Sequence, residues 1–175
     1  MYAGHVGIAL GAKGIRRTVP LWLLILASQL PDWTDAALCF AGVRTTVPGM
    51  YSHSLLAIAI LAVVAACIAA LTSQDKKSIA LVAALVVSHA LADYITGDKA
   101  SWPGGPLIGL RLYHHPLLDF LLEAGVILAG WFLWRRSLDP ERRSSKPAFT
   151  LLGVLLLLQF AADIYFMIIY HVRKC

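Results

Sequence analysis

The chain has 175 residues, 59% of them hydrophobic and 14% charged, against about 45–50% and about 25% in soluble domains. Its mean hydropathy is +0.72, which excludes a disordered chain, a coiled coil, a collagen-like fibre and an ordinary soluble enzyme. A single integral-membrane domain over residues 1–175 is expected. The 15 Lys and Arg against 10 Asp and Glu give +5, which suits either nucleic-acid binding or cytoplasmic loops, so the placement of the charges decides.

In chain order, Tyr2–Ala12 is apolar but too short to span, and reads as a half-length or interfacial helix. Lys13 follows that stretch instead of preceding it, unlike the charge of a secretory signal. Val19–Val43 is long enough to span but is interrupted by Gln29, Pro31, Asp32 and Asp35. Ser54–Thr72, Ser78–Thr96, Pro116–Trp134 and Ala148–Tyr170 each supply the roughly 20 apolar residues of a spanning helix. Trp102–Gly109, rich in Gly and Pro, reads as a structured loop. Cys39 and Cys67 lie inside apolar runs and read as packing residues. The expected fold is all-α: a polytopic bundle of about five spanning helices plus the short N-terminal one.

Ten basic residues, Lys13, Arg16, Arg17, Lys76, Lys77, Arg135, Arg136, Arg142, Arg143 and Lys146, fall in alternate connections. The opposite side holds five: Arg44, Lys99, Arg111, Arg173 and Lys174. The positive-inside rule makes the first side cytoplasmic. Topology accounts for the basic balance, and nucleic acid is not an expected partner.

All six histidines and seven of the ten acids then fall in the outer half, leaving Asp75, Asp139 and Glu141 inside. Ionisable groups at membrane depth need compensating partners, and a divalent metal is one. His89 and Asp93 are four residues apart and share a helical face, and His115 with Asp119 repeats the spacing, with Glu123 one turn on. His5, Asp32, Asp35 and His53 arrive at the same depth. Imidazole and carboxylate donors suit zinc or a similar metal, roughly one to three ions. The alternative is a hydrogen-bonded polar network that only holds helices together.

Of the adjacent His114 and His115, about 100° apart on a helix, His115 shares the register of Asp119, leaving His114 a supporting position. Asp163, with Gln159 one turn before it, reads as a hydrogen-bond partner of a ligand histidine. His171, beside Arg173 and Lys174, reads as interfacial. Ser52 and Ser54 flank His53, but no Gly-x-Ser-x-Gly elbow is present.

The runs Gly4–Gly11, Leu30–Asp35, Ser52–Ser54 and Ser88–Thr96 resemble the YdjM family, prokaryotic membrane proteins described as metal-dependent hydrolases. That family is in turn similar to zinc-dependent phospholipase C, an all-helical enzyme. The resemblance implies a helical core of that kind and metal ligands at His5, Asp32 or Asp35, His53, His89 with Asp93, and His115 with Asp119. The chain departs from the family in writing Pro-Asp-Trp-Thr-Asp for Pro-Asp-x-Asp, and from the soluble zinc enzymes in ending its last pair with Asp where they have Glu.

A hydrolase of the prokaryotic inner membrane follows as the leading expectation, its site facing the outer side. A bound metal acidifies water and polarises the bond under attack. Asp32, Asp35 or Glu123 is then the base, and Lys99 and Arg111 hold an anionic lipid headgroup. The expected substrate is a lipid phosphoester. A divalent-cation transporter and a non-catalytic metal-binding protein are the alternatives; against the first, no repeat is visible and the polar residues crowd one half.

Overall fold

A computed structural model describes residues 2–43, 47, 49–72 and 75–169. Arg44, Tyr170, His171, Arg173 and Lys174, assigned positions from the sequence, lie outside them. The helices are α1 (Gly4–Ile15), α2 (Leu21–Phe40), α3 (Leu55–Thr72), α4 (Lys76–Thr96), α5 (Pro116–Ser137), α6 (Pro140–Arg143) and α7 (Lys146–Ile169). A hairpin of β1 (Lys99–Ala100) and β2 (Leu107–Ile108) and a 3₁₀ turn at Leu112–His114 separate α4 from α5. The fold is thus an all-α bundle.

Among the described residues, four helical stretches are long and apolar enough to cross a membrane: Leu55–Thr72, Lys76–Thr96, Pro116–Ser137 and Pro140–Tyr165. The interrupted segment also folds as one continuous helix, α2, whose 20 residues reach about 30 Å at the usual rise. Pro31 sits inside it, and with Asp32 and Asp35 lowers its apolar content while leaving its length intact.

Proline starts α5 and α6, where its missing N–H costs nothing. α5 carries Asp119 in its first turn and Arg135 and Arg136 in its last, each complementing the helix dipole. α4 is the central element: 44% of its apolar window is buried, against 17% for α3, which leaves most of α3 facing outward. One core joins α2, α3 and α4 through Leu23, Leu24, Ile58, Val82 and Val86; a second joins α1, α5 and α7 through Leu10, Ile127 and Leu155. Neither cysteine is the packing residue expected from its apolar run: Cys67 is a free thiol on the exposed face of α3, and Cys39 is disulfide-bonded.

α1 lies parallel to α5 along a seam of glycines. A Cβ at Gly7 would stand 2.8 Å from Ile127 Cα, and one at Gly14 would stand 2.6 Å from the Leu133 carbonyl carbon. One at Gly130 would overlap the Gly7 carbonyl. Small residues at this spacing let two backbones touch. This seam carries His5, at the start of α1, to the rest of the polar cluster.

On the opposite end of the bundle, Asp75 caps α4, accepting from the backbone N–H groups of Lys77 and Ser78 and pairing with Arg16. Hydrogen bonds from Ser78 and Arg16 hold its carboxyl at about 2 instead of 3.8. A lowered folded pKa means the cap stabilises fully above the ordinary value and is lost as pH falls towards 2. Thermal melts should therefore show Asp75→Ala less stable than the parent at pH 6, with the two curves converging between pH 3.8 and about 2.

Candidate metal centre

α4 places His89 and Asp93 on one face, one turn apart and both buried. The ring of His89 is oriented by α2. Pro31 has no N–H to offer the preceding turn of its helix, and beside that break the Ser28 carbonyl accepts from His89 Nδ1–H at 2.7 Å. A carbonyl only accepts, so this bond fixes the tautomer and leaves Nε2 of neutral His89 with a lone pair.

His53 arrives from the turn before α3. Gly49 shapes that turn with φ +75, and a Cβ there would stand 2.8 Å from His53 Nδ1. Nδ1 lies 2.8 Å from Ser52 Oγ, and Ser52 gives its single proton to Asp35 Oδ1 at 3.0 Å. His53 Nδ1–H is thereby the donor to Ser52, and its Nε2 is also left as a lone-pair nitrogen. The two Nε2 atoms face each other at 3.1 Å. Asp32 Oδ1 and Asp93 Oδ2 each lie 3.2 Å from His53 Nε2 and 3.6 Å from His89 Nε2.

Two lone pairs and two carboxylates converging on one point call for a positive charge between them. A proton on His53 is one such charge. Burial and the Lys99 ammonium oppose it, but hydrogen bonds to Asp32 and Asp93 outweigh both and raise the pKa of His53. A metal cation is the other. Asp32, His53, His89 and Asp93 offer ligand atoms all within 4.8 Å of one another, and this two-imidazole, two-carboxylate set has the chemistry of a zinc site. Three of the four are buried, while the Asp32 side chain keeps 31% of its surface exposed and marks the open side.

His5 completes the cluster without joining that four-residue set. Its ring stacks on His89 with centroids 3.7 Å apart, and Nε2 lies 3.1 Å from Asp93 Oδ1. Its Nδ1 is buried without a partner among the described residues. Among the described residues, Asp35 is tied to the cluster by its hydrogen bond from Ser52 and by its charge acting on Lys99. Lys99, expected at a headgroup, turns inward instead, its Nζ 3.3 Å from Asp93 Oδ2. Burial works against that ammonium, but the Asp93 and Asp32 carboxylates prevail and raise its pKa. Arg111, exposed and in the left-handed region at φ 56, is held by Asp98 at 2.8 Å.

The second expected pair does not form. Pro116 begins α5 and leaves His115 outside the helix at φ −121 and ψ 76, so His115 and Asp119 do not share a helical face. His115 and His114 are exposed, and His114 packs on Tyr113 at 4.3 Å. Asp119, Glu123 and Asp163 gather separately, their ligand atoms within 4.8 Å. Glu123 Oε2 accepts from the backbone of Tyr2 at 2.8 Å and of Gly4 at 3.1 Å, pinning the segment that carries His5. Asp163 takes its bond from Gln159 Nε2 at 2.8 Å and, among the described residues, meets no histidine. Sequence reasoning missed the Ser28 carbonyl, which only the fold reveals. It also missed the linking role of Ser52, whose place beside His53 was a usable signal.

Fold and site together define a helical membrane protein with a buried histidine–carboxylate centre near one end of its bundle. The chain belongs to the YdjM inner membrane protein family, which matches residues 2–172. No curated protein and no solved structure matches it.

Proposed function

We propose that this protein is a metal-dependent hydrolase of lipid phosphoesters, working at the outer side of the inner membrane. The observation that carries the reading is the convergence of Asp32, His53, His89 and Asp93, with Asp32 alone partly open to the approach of a substrate. Zinc bound there would supply an acidified water and a polarised phosphoryl oxygen. With His53, His89 and Asp93 holding that ion, Asp32 would stay off it and take the proton of the attacking water. Lys99, beside Asp93, attracts the anionic ester. Asp35 and Ser52 hold the His53 ring, and the Ser28 carbonyl holds that of His89.

Depth and surroundings favour a lipid. His89 lies seven residues before the end of α4 at Thr96, roughly 10 Å below it at 1.5 Å per residue. Trp102, Leu107, Ile108 and Leu110, in the segment that also carries Lys99, are exposed apolar side chains, suited to acyl chains and poorly suited to a soluble substrate. The test is a screen of the zinc-loaded protein in nanodiscs against phospholipids, polyprenyl phosphates and soluble nucleotides. Products are read by mass spectrometry, with Asp93→Ala as blank. Turnover confined to nucleotides would refute the lipid reading; zinc flux in liposomes without any turnover would make the protein a transporter.

The orientation rests on the basic asymmetry and on the Cys39 disulfide at the end of α2, a bond of oxidising compartments. Single cysteines at Ser145 and Gly104, in a Cys67→Ser background, should react with an impermeant thiol reagent from opposite sides of the membrane. Ser145 should react only from the cytoplasmic face. Labelling of both from one face would overturn the topology.

A further inference from the structure

We infer that Asp119, Glu123 and Asp163 form a second cation site, built only of oxygen donors and suited to a hard divalent ion such as Mn2+, Mg2+ or Ca2+. The three offer ligand atoms within 4.8 Å of one another. Asp119 is only 7% exposed, and its Oδ1 has no partner; Asp163 Oδ2 is likewise buried and unpartnered. The donors nearby are already committed. The Tyr2 and Gly4 N–H groups both go to Glu123 Oε2, Gln159 Nε2 goes to Asp163 Oδ1, and Gln159 Oε1 accepts from Ala3 N–H.

Among the described residues no lysine or arginine pairs with any of the three acids. Three carboxylates gathered on apolar helices, with the charge of the chain's N-terminus as the positive charge acting on all of them, are costly, and a bound cation would offer the orphaned oxygens a partner. With no imidazole in the set, the donors favour oxygen-seeking ions over zinc. Such an ion would tie α7 to α5 beside the start of α1. The inference is independent of the hydrolase reading.

The probe is Mn2+, added to the full chain in nanodiscs after saturation with Zn2+. Free Mn2+, followed by electron paramagnetic resonance, should fall by about one equivalent per chain. The bound ion should show no imidazole nitrogen modulation in pulsed spectra. The double variant Asp119→Asn/Asp163→Asn should bind Mn2+ at least about tenfold more weakly with zinc stoichiometry unchanged, and His89→Ala should keep its Mn2+. No binding by the parent up to about 1 mM, the weak end of carboxylate sites, would overturn the inference. So would imidazole modulation, or undiminished binding by the double variant. If that variant fails to fold, the parent's titration and nitrogen spectrum still decide.

Discussion

His89→Ala and Asp93→Ala proteins are each expected to lose zinc affinity by at least about a hundredfold, taking activity with it. His89 supplies one of two lone-pair nitrogens, and its loss also strands the Ser28 carbonyl and unstacks His5. Asp93 touches His5, His53, His89 and Lys99, so its removal leaves buried bases and an ammonium without their common anion. Asp93→Asn keeps the volume and separates charge from packing. Leu61→Ala, in the α3 part of the apolar core, should leave zinc content unchanged. Elemental analysis and calorimetric zinc titration are the measurements. A full zinc equivalent retained by His89→Ala would remove the centre as described.

Gly7→Leu is the second change with a large expected effect. Its Cβ would stand 2.8 Å from Ile127 Cα, and 3.0 Å from Ile127 N and the Val126 carbonyl oxygen. Backbone cannot swing aside as a side chain can, so α1 must lift from α5. Overpacking of this kind costs about 1–3 kcal/mol or more, enough to lower the melting temperature and the folded yield. Because α1 carries His5 while the four converging residues sit on other elements, surviving protein should bind zinc but hydrolyse poorly. Gly125→Ala and Gly153→Ala, where an added Cβ meets nothing within 4 Å, should be close to neutral. Equal melting temperatures for Gly7→Leu and the parent would show that the seam is not tight.

The spans were legible because a bilayer enforces length and apolarity residue by residue, and α3, α4 and α5 follow the expected ranges closely. Of the polar residues, those on α4 were the most legible, since His89 and Asp93 lie inside a regular helix where spacing fixes direction. The same rule misled at His115, because Pro116 starts the helix one residue too late for the pair. The gathering of Asp163 with Asp119 and Glu123 depends on how α7 packs on α5, which spacing within one helix cannot reveal. The α1–α5 seam had a trace in the spacing of Gly7, Gly11 and Gly14, but a hydropathy pattern scores glycine as neutral and passes over it.

The position of Lys99 against Asp93 has an electrical consequence. Counting only the side chains named here, the Asp32 and Asp93 carboxylates bring −2, and the Lys99 ammonium with a proton on His53 would bring +2. A divalent cation in place of the proton changes the sum to +1, since −2 is now met by +1 from lysine and +2 from the ion. On that count a loaded pocket would hold an anion more tightly than an empty one. Affinity for a phosphate ester should then track metal occupancy even where no bond is broken, and a lipid diester would be drawn inward from the headgroup layer chiefly by the loaded form.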